Sequence, residues 1–238
     1  MNMLYMKSVL LAVCVLLLVQ SLAFAGLLGP AQPTGKKGEF SFGPGLVVYS
    51  GELDNDLDFQ QTQVYAQLGY ALTDKAEIYL QGGAADLTVD DLFGSDDFED
   101  GFRPFGALGF KALLADRKPL GIGLFAQGTI FSDYDDQRSV GGIPTKVEFT
   151  SAFEVVGGVV LQSVLEGAIL YGGPYFFTRE GDVDFTIGPL KGSGSFEEDG
   201  NLGAFIGMRW PLRNGINVDL EGHLRTDFSI GADLLYNF

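Results

Sequence analysis

Apolar and polar residues alternate along most of this chain with a period of two. Near the carboxyl end Phe228, Ile230, Ala232, Leu234, Tyr236 and Phe238 share one parity, and Asp227, Ser229, Gly231, Asp233 and Asn237 share the other, with Leu235 the exception. The stretch before it sets Ile216, Val218, Leu220 and Leu224 against Asn217, Asp219, Glu221, His223 and Arg225. Leu202, Ala204, Ile206, Met208 and Trp210 repeat the pattern, and so do Val64, Ala66, Leu68, Tyr70 and Leu72. Successive side chains of an extended strand point to opposite faces, so period two predicts strands with one apolar face. Ten such segments are predicted, at about 38–50, 60–72, 76–86, 102–115, 119–132, 145–162, 166–179, 200–212, 215–224 and 227–238.

The connections have a rhythm of their own. Tight ones at 73–75 (TDK), 116–119 (DRKP), 163–165 and 213–214 (RN) alternate with longer ones at about 51–59, 87–101, 133–144 and 180–199. The last, near Arg225, is short. Short turns at one end and long loops at the other are the organisation of an all-β, up-and-down antiparallel transmembrane β-barrel of about ten strands, with eight the alternative. Charge follows the same division. The loop around 88–101 carries Asp90, Asp91, Asp96, Asp97, Glu99 and Asp100 without a base, and 180–199 carries Glu180, Asp182, Asp184, Glu197, Glu198 and Asp199 against Lys191. Lys36, Lys37, Lys75, Arg117, Lys118 and Arg213 fall in the N-terminal segment or the short turns.

A lipocalin-like soluble barrel would alternate in the same way, so the direction of the apolar face has to be decided separately. The apolar parity of ten strands holds too many large side chains to fit inside, whereas the other parity is rich in Gly, Ser, Gln, Tyr and charge and suits a polar lumen. Phe40, Phe42, Trp210, Phe228, Tyr236 and Phe238 lie near strand ends, where aromatic girdles meet the membrane interfaces. Composition agrees: 34 Gly and 20 Phe occur in 238 residues, and only 19% of residues are charged. Fifteen Lys and Arg against 31 Asp and Glu leave a net charge of -16, which excludes nucleic-acid binding through a basic surface. Disorder is excluded by the 46% hydrophobic content, and a disulfide framework by the single Cys14.

Residues 1–25 read as a cleaved signal peptide. Lys7 supplies the basic n-region, 9–19 the apolar run, and Ala23 and Ala25 the small residues of a cleavage site. Residues 26–37 are then expected as a periplasmic N-terminal segment and 38–238 as the barrel, with the acidic loops extracellular.

The last strand, FSIGADLLYNF, alternates and ends on Phe238. In this it resembles the C-terminal signal of bacterial outer-membrane β-barrels. The chain is similar to the small outer-membrane-protein β-barrel family, with its opacity-like and outer-membrane-protein-W-like members. The resemblance implies a Gram-negative outer membrane, contact with its lipid and lipopolysaccharide, and a role for Tyr236 and Phe238 in recognition by the barrel-assembly machinery.

Candidate chemistry lies on the polar parity. Glu77, Lys111, Glu148, Glu154, Arg209, Asp219, Glu221, His223, Arg225 and Asp233 are expected to face the lumen as a network of both signs. Such a network either plugs a narrow barrel or lines a conduit. His223 is the one histidine, and a general base on a late strand resembles lipid A deacylases, which pair such a His with a nearby Ser; here Ser229 is the nearest. Omptin proteases also use a His with aspartates, in a longer chain. In the first long loop Asp54, Asp56 and Asp58 have the spacing of calcium ligands, but Phe59 and Tyr65 stand where an EF-hand needs Gly and Glu. Weakly held divalent cations bridging acidic loops to lipopolysaccharide are the remaining metal expectation, and no cofactor or phosphate-binding loop is predicted. The expected function is a non-enzymatic outer-membrane barrel with a structural or surface-interaction role through its acidic loops. A narrow channel for small solutes is the alternative, and a lipid-modifying enzyme using His223 the second alternative.

Overall fold

A computed structural model describes residues 27–53, 57–90, 97–140, 143–198, 201–225 and 227–238. The expected signal peptide and Asp54, Asp56, Asp91, Asp96 and Asp199 lie outside the described residues. Among the described residues twelve strands follow in order: β1 (Phe40–Leu53), β2 (Leu57–Thr73), β3 (Ala76–Val89), β4 (Phe98–Arg117), β5 (Leu120–Phe131), β6 (Tyr134–Val140), β7 (Ile143–Leu165), β8 (Ala168–Ile187), β9 (Leu190–Glu197), β10 (Leu202–Pro211), β11 (Ile216–Leu224) and β12 (Phe228–Asn237). Ten form a closed antiparallel ring, β1-β2-β3-β4-β5-β7-β8-β10-β11-β12, which returns to β1. The ring has ten strands, not eight. Strands β6 and β9 are additions that pair with the far ends of β7 and β8.

The apolar parity points outward. Phe42, Leu46, Val64, Leu68, Leu80, Leu108, Ile130, Ile206, Leu220 and Leu234 are all exposed, Ile130 and Ile206 to 70% and 73%. A wall this apolar is stable against hydrocarbon, and pairing every strand leaves no open backbone edge within the ring. At the short-turn end the seam between β1 and β12 is locked by two bonds between Phe40 and Phe238, N to O at 3.0 and 2.9 Å. There Phe40 stacks on Phe238, and Phe238 on Tyr236. At Gly43 the seam is so tight that a β-carbon would lie 1.7 Å from the Leu234 carbonyl oxygen, which explains a glycine in an otherwise apolar strand.

The long connections are mostly hairpins rather than open loops. Val89 and Phe98 pair with each other and are fully buried, so residues expected in the 87–101 loop belong to the wall. Beyond the ring, β6, the first part of β7, the last part of β8 and β9 make a four-stranded sheet. One face sets Tyr134, Val147, Phe149, Val183 and Phe196 in an apolar cluster with Phe59 and Phe98. Ring contacts link Phe98 to Phe149 at 4.9 Å and Phe149 to Phe196 at 5.3 Å, both edge-on. The opposite face carries Asp135, Lys146, Glu148, Asp182, Asp184, Lys191 and Glu197, and is polar.

Candidate functional site: a filled lumen

Three elements fill the interior. The first is a layer of charge towards the short-turn end. Glu77 on β3 faces its register partner Lys111 on β4, 3.2 Å apart, and Arg209 on β10 makes a two-pronged contact with Asp219 on β11 at 2.7 and 2.5 Å. All four are buried. Such pairs persist inside a barrel because each partner offsets part of the cost of burying the other, and losing one would leave an uncompensated charge. Asp233 on β12 sits opposite Asp219 in the register and accepts a hydrogen bond from the Tyr65 hydroxyl at 2.7 Å. Gly45 makes room for this contact, since a β-carbon there would fall 2.1 Å from Asp233 and 2.3 Å from the Tyr65 ring.

The second element is the N-terminal segment. The sequence predicts a periplasmic segment at 26–37, yet Leu27, Leu28 and Ala31 are buried inside the barrel. Glu221 accepts the amides of Leu28 and Gly29, one on each carboxylate oxygen, at 2.7 and 2.8 Å. Gln162 accepts the Gln32 amide at 3.1 Å, and Glu77 the Thr34 amide at 2.5 Å. A segment without strand partners would leave its amides unsatisfied in the lumen; these side chains satisfy them. Leu27 reaches the central cluster with Val47 and Tyr49, and Leu28 and Ala31 pack with Phe125, Tyr171 and Phe205. Cavities of about 510 and 750 Å³ flank the segment at the short-turn end, both touching Gln32.

The third element is a layer of charge towards the hairpin end. Arg225 donates to Glu154 at 2.8 Å, to Glu198 at 3.2 Å and to the Tyr49 hydroxyl at 3.0 Å. Arg179 lies 3.2 Å from Glu154 and donates to Gln61 on the opposite wall at 3.3 Å. Aromatic rings sandwich both guanidinium groups: Phe177 lies 4.3 Å from Arg225, and Tyr49 4.5 Å from Arg179. Above this layer the lumen holds an apolar cavity of about 20 Å³ lined by Phe59, Leu87, Val89, Phe131, Phe149 and Phe196. That is room for about one water molecule.

His223 joins the layers. Its Nε2 lies 2.7 Å from Glu221 and its Nδ1 3.3 Å from the Tyr175 hydroxyl, which also accepts a bond from Arg225 Nε at 3.1 Å. The ring stacks on Phe205. Ser229 is opposite His223 in the register, buried, but both imidazole nitrogens already face other groups.

Nine of the ten residues expected in the lumen are there; Glu148 is not. Its side chain is 42% exposed and pairs with Lys146 at 2.6 Å on the outer sheet. The cause is a break in register between Thr150 and Phe153, where Ser151 adopts a φ of 56°. A bulge inserts one residue, so Glu148 and Glu154, of equal parity, face opposite sides. Arg179, the last residue of the predicted 166–179 segment, lies within β8, and Glu198, predicted in the acidic loop, is buried beside it; neither position carries a sequence signal for the lumen. Among the described residues no group of three or more His, Cys, Asp or Glu side chains is arranged to hold a metal ion.

No protein-family model matches the chain, and no curated protein matches it. Solved structures do. The translocator domain of the autotransporter NalP from Neisseria meningitidis matches 86% of this chain and 90% of its own, at 11% identity and a TM-score of 0.50. The fold is that of an outer-membrane β-barrel. The outer membrane protease OmpT from Escherichia coli is similar over 92% of this chain and 99% of its own, at 10% identity and a TM-score of 0.48. OprG from Pseudomonas aeruginosa covers 88% and 99%, at 12% identity and a TM-score of 0.36. With its closed ring and apolar outer wall, the chain is an integral β-barrel of the bacterial outer membrane, set in that membrane's lipid.

Proposed function

We propose that this protein is a sealed, non-enzymatic outer-membrane barrel that acts through its polar hairpins at the cell surface. The observation that carries this reading is the seating of the N-terminal segment on Glu221, Gln162 and Glu77, beneath the Arg225–Glu154–Glu198 layer. Among the described residues these groups occupy the lumen at both charged layers, which supports a sealed barrel over a conduit. The non-enzymatic part is supported by His223, whose two nitrogens face Glu221 and Tyr175 rather than Ser229. Kinship with the opacity-like and outer-membrane-protein-W-like barrels is proposed on the alternating C-terminal strand alone, and with it the use of Tyr236 and Phe238 by the barrel-assembly machinery. Lipopolysaccharide contact and weakly held divalent cations are proposed for the acidic hairpins on charge.

The test is efflux from vesicles carrying the refolded chain from Gly26 to Phe238. Ions and small sugars stay trapped if the barrel is sealed, and rapid loss of either overturns the reading. Lipopolysaccharide composition unchanged by His223→Ala supports the non-enzymatic part; a changed acyl pattern overturns it.

The narrow-channel reading has one observation in its favour, the two cavities that flank the segment. It requires that segment to leave.

A further inference from the structure

Strand β9 has a free edge. It pairs with β8 along its length, and among the described residues no strand pairs with its other side. Strand β6, the other terminal strand of the sheet, is covered: the Asp135 amide bonds to Asp100, and Arg103 bridges Asp100 and Asp135. Natural edge strands are blunted by short length, charged side chains (Lys above all), inward charge, Pro or bulges, and of these β9 carries the charges Lys191 and Glu197. The sequence of β9, Leu-Lys-Gly-Ser-Gly-Ser-Phe-Glu, has no Pro, and its pairing with β8 has no break in register. Lys191, Ser193, Gly194, Ser195 and Glu197 are exposed, and neither Lys191 nor Glu197 has an ion-pair partner among the described residues.

The turn fixes which backbone groups face outward. Ile187 and Leu190 flank the two-residue turn at Gly188 and Pro189, so they form the first hydrogen-bonded pair and every second pair follows. Leu190, Gly192, Gly194 and Phe196 therefore spend their backbone groups on β8. Lys191, Ser193, Ser195 and Glu197 present theirs to the free edge. A second β9 laid antiparallel about Gly194 sets Lys191 opposite the partner's Glu197, and Ser193 opposite the partner's Ser195. In this register outward backbone groups meet outward backbone groups, and both charges of each strand are matched on one face. The small Gly-Ser centre places no large side chain where the two edges meet.

We propose that β9 is a homotypic docking edge, through which two copies of the chain join by antiparallel strand pairing centred on Gly194. This names a partner for the surface hairpins and rests on that part of the function proposed above. Sealing of the lumen is measured separately, so failure of one does not imply failure of the other.

The experiment uses the refolded chain from Gly26 to Phe238 in detergent, with mass measured by light scattering over a range of concentrations. A dimer is expected. Lys191→Glu, which opposes like charges twice, weakens it about tenfold or more, and adding Glu197→Lys to that variant restores it. Gly194→Cys forms a disulfide-linked dimer under air, because this residue meets its own copy at about 4.5 Å between α-carbons, within disulfide reach. A β-carbon at Gly194 finds Val183 Cγ1 at 3.6 Å, an ordinary contact, so the substitution does not crowd β8 at the β-carbon. Leu190→Cys faces the position of the partner's buried Glu198 and stays unlinked. A monomer at every concentration overturns the proposal. So does a Lys191→Glu variant that dimerises like the parent, a charge swap that does not restore pairing, or equal linkage through Leu190→Cys and Gly194→Cys.

Discussion

Arg225 Nη1 lies 2.8 Å from Glu154 Oε2, joining the end of β11 to β7 across the interior, with β10 and β8 between them in the wall. The contact is almost wholly buried, and Glu198 shares the same guanidinium at 3.2 Å. Removing Arg225 leaves the buried Glu154 and Glu198 to share Arg179 alone, one carboxylate in excess, an arrangement whose cost exceeds the net worth of the pair. Arg225→Ala is expected to lower stability by about 3–5 kcal/mol, with Arg225→Ala combined with Glu154→Ala costing less than the two single losses added. Guanidinium unfolding of the barrel in lipid vesicles, run as a double-mutant cycle, checks this.

The N-terminal segment is held mainly by side-chain acceptors, so it can be released without touching the wall. Glu221→Ala with Glu77→Ala removes the acceptors of the Leu28, Gly29 and Thr34 amides. A cysteine at Ala31, which is fully buried, should react with a water-soluble maleimide at least about tenfold faster in that background than in the parent. Equal rates would show that apolar packing alone retains the segment.

Ser151 sets the parity of everything that precedes it in β7. With φ at 56°, Ser151→Gly is expected to be neutral or slightly stabilising, and Ser151→Val to cost about 1–3 kcal/mol, because a β-branched residue resists the left-handed region. Glu148→Ala, on a half-exposed outer pair, should stay within about 1 kcal/mol of the parent. Thermal or denaturant unfolding of the three variants is sufficient.

This bulge also marks where legibility in the sequence ended. Period two read correctly through Ile216–Leu224 and Phe228–Asn237 because each residue there faces alternately in and out without interruption. It even carried Leu235, the apolar exception, which is buried in the lumen. It failed at Glu148, since one extra residue at Ser151 reverses the alternation and no residue type announces it. It failed at Glu198 because charge composition does not record that a loop turns inward. The stretch from Leu27 to Thr34, with Gly29, Pro30 and Pro33 and no alternation, reads as part of a periplasmic N-terminal segment. Its place in the lumen depends on Glu221, 193 positions away.

Closure at the seam runs through the last residue. Deleting Phe238 removes both backbone bonds to Phe40 and the stacking on Phe40 and Tyr236. It is expected to impair outer-membrane assembly more than deletion of residues 91–96. A wider cut from Val89 to Glu99 would also remove Val89 and Phe98 from the apolar cluster and obscure the comparison. The folded fraction recovered from membranes, read by heat-modifiable gel mobility, ranks the variants; equal recovery would contradict the role given to Phe238.

The most direct measurement is planar-bilayer conductance of three folded proteins: the chain from Gly26 to Phe238, the same chain with Glu221→Ala and Glu77→Ala, and that variant with Arg225→Ala and Arg179→Ala added. A sealed lumen predicts a silent parent, a silent or rarely flickering second protein because the Arg225–Glu154–Glu198 layer still closes the hairpin end, and discrete steps in the third. Steady steps from the parent, altered by substitution of Arg209 or Glu221, would contradict the account and establish a pore.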